Sequence, residues 1–112
     1  MTNEELNSTL YRKLFDEQER YRKELLALPP EKILDHAYEY AVRDDILLSF
    51  EYHDLSDEQV KALLKSEYPL HDIFNKWESC ETEYMQDIWN TVGVHANDMV
   101  RDEMLKAIRD AR

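Results

Sequence analysis

Glycine occurs once in 112 residues, at Gly93, and proline three times, twice in the pair Pro29-Pro30. Tight hairpins draw on Asn-Gly and Asp-Gly pairs, and phosphate-cradling loops need several glycines. A chain this poor in turn formers is most easily built from helices with short connections. The expected fold is all-α, a compact bundle of four or five helices in a single domain over residues 1–112. Hydrophobic residues make up 43% of the chain, enough for one modest core and too many for intrinsic disorder.

The first helix is expected from Asn3 to Leu28, with Leu6, Leu10, Leu14, Tyr21, Leu25 and Leu28 as its buried stripe. Arg12, Lys13, Asp16, Glu17, Arg20 and Lys23 form a solvated face of mixed sign. Pro29-Pro30 stops that helix, and Pro30 suits the first turn of the next. The second helix reads as continuous to Tyr52 or His53, burying Ile33, Leu34, Ala37, Ala41 and Leu48. Ser56-Asp57-Glu58-Gln59 has the form of a capping box opening a short helix to about Lys65.

From Pro69 a long helix is expected. Leu70, Ile73, Phe74, Trp77, Tyr84, Ile88 and Val92 lie on one side at 100° per residue. After Gly93 the phase is lost, and Val100, Met104 and Ile108 extrapolate to nearly the opposite side. Either the helix breaks between Gly93 and Asp98, the preferred reading, or it runs straight and offers a second apolar face to another subunit.

The formal net charge is −11, and it is unevenly spread. Residues 31–57 hold 8 acidic and 2 basic side chains, and residues 69–98 hold 6 and 1. Such a surface repels nucleic acid and anionic membranes and favours a basic partner. The longest apolar run, Ile46-Leu47-Leu48, is far short of the roughly 18 residues that span a bilayer. With one cysteine, Cys80, and an acidic N-terminal stretch unlike a signal peptide, a cytoplasmic protein is expected.

No residue set names a reaction, a cofactor or a metal. His36 and Glu39 reverse the Glu-x-x-His order of di-metal bundles and have no second copy. Glu81 and His95 extrapolate to the buried stripe, where pairing or protonation must compensate a carboxylate. The candidate partner-binding residues are the outward carboxylates Asp35, Glu39, Glu51, Asp54, Asp72, Glu83 and Asp87, with Trp89 as an exposed aromatic. Carboxylates one helical turn apart repeat about every 5.4 Å, against about 3.4 Å between phosphates on one DNA strand. Two adjacent acidic helices together approach phosphate density.

Leu28-Pro29-Pro30-Glu31-Lys32-Ile33-Leu34, Ala37-Tyr38-Glu39-Tyr40 leading to Asp45-Ile46-Leu47, and Leu55-Ser56-Asp57-Glu58-Gln59 with Ala62-Leu63-Leu64 recur together in one known setting. With Pro69-Leu70 and Glu81-Thr82-Glu83-Tyr84-Met85, they make the stretch from Leu10 to Asn97 resemble a family of short domains of unknown function from Gram-positive gut bacteria. That family supplies no catalytic motif. Its members resemble accessory cargo of mobile elements, which implies roles in defence or counter-defence. The expectation is a non-enzymatic protein that binds a basic protein, as an anti-CRISPR or anti-restriction DNA mimic covers a nuclease. The competing expectation is a homo-oligomeric assembly or scaffold module, dimeric through the C-terminal helix.

Overall fold

The computed structural model describes residues 1–80 and 83–111. Five helices follow in order: α1 Asn3–Leu26, α2 Pro30–Phe50, α3 Asp57–Leu64, α4 Pro69–Ser79 and α5 Tyr84–Asp110. No strand occurs among the described residues, so the chain is all-α. It divides into two units, Met1–Ser79 and Cys80–Arg112.

In the first unit α1 is the central element, packed by α2, α3 and α4, and α2 also meets α4. Thr2 caps α1 by accepting a hydrogen bond from the Glu5 amide at 3.1 Å. Leu6, Leu10, Leu14, Leu47, Val60 and Leu70 form the buried cluster, with Tyr11, Ile46, Phe50, Leu55, Leu63, Leu64 and Ile73 packed against it. The capping box forms as expected: Ser56 Oγ accepts from the Gln59 amide at 3.2 Å, and Gln59 Oε1 accepts from the Ser56 amide at 2.9 Å. Lys13 closes the other end of α3, donating to the carbonyls of Leu64 and Ser66. Each cap satisfies helix-end groups that would otherwise lack partners.

Three helix expectations are corrected. The stripe of α1 ends at Leu25, since Leu28 is exposed, and Glu17 on the supposed solvated face is buried. On α2 the inward residues are Arg43 and Leu47, with Ile46 and Phe50 beside them, whereas Leu34 and Leu48 are exposed. The apolar pattern selected the wrong side because the true inner side carries ionised groups neutralised by neighbouring helices.

The third correction concerns the long helix from Pro69. It ends at Ser79, and α5 begins at Tyr84. Gly93 lies inside α5, which runs unbroken past Asp98. The drift of register is real and lies within α5 itself, where Met104 and Ile108 stand about 160–200° around the helix from Ile88 and are exposed. In the frame of α5 itself, Ile88, Val92, Ala96, Met99 and Val100 fall within about 120° of arc. Among the described residues of the second unit, α5 is the one helix. None of its described residues is buried, and His95 is exposed rather than in a core. Glu81 lies outside the described residues.

Candidate partner-binding groove

Two of the depressions among the described residues of the first unit bear on a site, and each depends on how α1 meets its neighbours. The smaller, about 260 Å³, opens beside a buried charge cluster. Glu17 reaches from α1 to the start of α4, where its two oxygens accept from the amides of Leu70 and His71 at 2.9 Å each. A carboxylate there satisfies free N–H groups and suits the positive end of the helix. Arg43 offsets part of that negative charge, with one nitrogen 2.6 Å from Glu39 and another 3.9 Å from Glu17. Its guanidinium also lies 4.0 Å over the Tyr21 ring.

Arg43 Nη2 sits 3.0 Å from His71 Nδ1. Arginine can only donate, so Nδ1 accepts and the imidazole proton is on Nε2. Burial raises the Tyr21 phenol above its ordinary pKa of 10.0, the negative field of Glu39 adds to the rise, and Arg43 opposes it. The cluster holds two carboxylates against one guanidinium, and Arg43 Nε is buried without a hydrogen-bond partner among the described residues. Its clear role is to join α1, α2 and α4.

The larger depression, about 900 Å³, is a groove between the first half of α1 and the end of α2. Tyr11 and Phe15 lie four residues apart on α1, their rings stacked with centroids 6.4 Å apart, and Phe50 joins them in the floor. Around that floor stand the carboxylates of Glu4, Asp16, Glu51 and Asp54, with Arg12 as the cation of the lining. The Tyr11 hydroxyl donates to Glu51 at 3.3 Å. Burial and then the Glu51 charge raise the Tyr11 pKa.

The rim is fixed from below. Asn7, itself buried, donates to the Leu55 carbonyl at 3.0 Å and accepts from the Leu55 amide at 2.9 Å. Asn3 donates to the same carbonyl and to Asp57. Both backbone groups of Leu55 are thereby satisfied, which holds the turn carrying Asp54 against α1.

The predicted residues separate into distinct settings. Glu51 and Asp54 meet at the groove. Asp35 is exposed on α2, and Asp72 is exposed on α4, where it accepts from the Ser66 hydroxyl. Glu39 turns inward to Arg43, with its side chain one-fifth exposed. Glu83, Asp87 and Trp89 belong to the second unit, with Glu83 at the start of α5 and Trp89 69% exposed. The sequence reading missed the aromatic floor and Asp16. The Tyr11-x-x-x-Phe15 spacing, one residue beside the leucine stripe, was its available signal.

A family described as a protein of unknown function, DUF3848, matches residues 6–105. The chain belongs to the DUF3848 family. The match takes in α1 from Leu6, all of α2, α3 and α4 and most of α5, so the buried charge cluster lies within the DUF3848 region, and so does the groove apart from Glu4. No curated protein and no solved structure matches the chain. Among the described residues no helix is long and apolar enough to cross a membrane.

Proposed function

We propose that the chain is a non-enzymatic protein-binding protein whose exposed carboxylates engage a basic surface on another protein. The supporting observation is the state of those carboxylates in the first unit. Among the described residues the ion pairs join Arg43 to Glu17 and Glu39, and Arg101 to Asp98. Asp35, Glu51, Asp54 and Asp72 stand outside these pairs and are exposed. Surface charge left uncompensated by its own fold is available to steer and orient an oppositely charged partner.

On this reading the natural target is a nucleic-acid-processing enzyme whose Lys/Arg-rich cleft the protein covers, as a counter-defence inhibitor carried by a mobile element would. The test compares the native chain with the triple variant D35K/E51K/D54K for capture from host extract at low and high salt. Cross-linking mass spectrometry then locates the contact. A partner held at a Lys/Arg-rich site by the native chain, and released by the variant and by salt, supports the proposal. Equal capture by the variant, or a contact site without Lys and Arg, refutes it.

A second reading rests on α5, where Ile88, Val92, Met99 and Val100 share one side and are all exposed. A second copy of the chain could bury that stripe in a homo-oligomer. Solution mass decides this: a salt-insensitive dimer lost on Val100→Glu favours it, and a monomer at high concentration refutes it.

A further inference from the structure

We infer that the groove between α1 and the end of α2 binds an amphipathic segment of a protein partner, one with an apolar side chain flanked by Lys or Arg. The inference rests on the basic-partner reading above and names the part of the partner that carries recognition.

The floor and the rim make separate demands. Phe15 is 44% exposed although it stacks on Tyr11 in a folded unit. An aromatic ring left half in water inside a concavity gains by receiving an apolar side chain. The rim carries Glu4, Asp16, Glu51 and Asp54 against Arg12 alone, and none of the four carboxylates is in the ion pairs described above. Carboxylates beside a low-dielectric floor attract cations more strongly than the same charges on an open surface. An acidic or phosphate-bearing ligand is repelled, and a purely polybasic chain leaves the floor wet. The segment that satisfies both parts has an apolar anchor with cations beside it.

The groove is also preformed. Asn7 fixes the Leu55 backbone, and the Tyr11 hydroxyl ties to Glu51. A preformed site loses less conformational freedom on binding.

The test uses the full chain and three labelled synthetic peptides of twelve residues: leucine with lysine, leucine with glutamate, and serine with lysine. Fluorescence anisotropy should show binding of the leucine–lysine peptide. The serine–lysine peptide should bind at least tenfold more weakly, and the leucine–glutamate peptide should not bind. Phe15→Ser should weaken leucine–lysine binding at least tenfold with an unchanged circular dichroism spectrum. The surface pair E51K/D54K, which leaves the apolar floor intact, should do the same and gain affinity for the leucine–glutamate peptide. Amide shifts on binding should cluster in residues 4–16 and 50–55. Undiminished binding to a folded Phe15→Ser variant, no exchange of preference in E51K/D54K, or shifts elsewhere would overturn the inference. Equal binding of both lysine peptides, lost in D35K/E51K/D54K, leaves the basic-partner reading standing and removes the groove. Binding of neither lysine peptide removes both.

Discussion

Replacing Glu17 by glutamine tests the joint between α1 and α4 with almost no change of volume. The native carboxylate accepts two amide hydrogen bonds, from Leu70 and His71, and faces Arg43 from a side chain only 5% exposed. Glutamine keeps one carbonyl oxygen. Its NH₂ group then confronts the second amide, so a buried N–H loses its acceptor, at a cost of about 1–3 kcal/mol. The surviving hydrogen bond changes from charge-assisted to neutral and loses about 1 kcal/mol more. Arg43 keeps Glu39 at 2.6 Å, so its own charge stays paired and adds little. The expected loss is therefore about 2–4 kcal/mol. A unit of residues 1–79 has a total stability of about 4–12 kcal/mol, so the variant should remain folded but melt about 10–25 °C lower. Urea unfolding gives the loss, and hydrogen exchange at Leu70 and His71 locates it. Asp35→Asn, at an exposed site, serves as control and should stay within about 0.5 kcal/mol of the native chain. A Glu17→Gln change no larger than that control, with unaltered exchange at Leu70 and His71, would show that the carboxylate does not hold α4.

Asn7→Ala leaves the amide and carbonyl of Leu55 without their Asn7 partner, and Asn3 covers only the carbonyl. It should cost about 1–3 kcal/mol in urea unfolding and weaken leucine–lysine peptide binding by loosening the rim; unchanged stability would refute the clamp. Tyr21 has a folded-state pKa above its ordinary 10.0, so the folded chain holds that proton more tightly than the unfolded chain. The associated stability is complete below pH about 10 and is lost as pH rises through the folded value. In urea midpoints measured between about pH 9 and 12, Tyr21→Phe should flatten the alkaline fall, and an identical slope would contradict the shift. At Gly93 an added Cβ meets nothing within 4 Å, so Gly93→Ala should favour helix in α5 by about 0.5–1 kcal/mol. Circular dichroism should show more helix, and a decrease would mean that another group packs closely on Gly93.

What the sequence made legible follows the range over which each signal acts. The capping box at Ser56, the stop at Pro29-Pro30 and the leucine stripe from Leu6 to Leu14 depend on residues three or four apart, and all three appear in the structure. The interior of α2 could not be found this way. Its inner side carries Arg43 and Glu39, whose burial is tolerable only because α1 supplies Glu17 and Tyr21 and α4 supplies His71. A hydropathy pattern treats those side chains as solvent-facing, because it cannot know that three helices bring compensating charges together. The same reasoning divides the acidic surface. A carboxylate count assigns Glu39 and Glu51 equal weight, yet Glu39 is tied to Arg43 while Glu51 remains exposed beside Tyr11. The useful charge is therefore smaller than −11 implies and has a definite address. In the first unit, Glu51 and Asp54 border exposed aromatic surface, which is where the proposed partner's cation and its neighbouring apolar side chain would be recognised together. Under the function proposed here, that pairing of floor and rim is what would separate a recognition surface from acidity that serves only solubility, because solubility needs no aromatic ring held in a fixed frame of carboxylates.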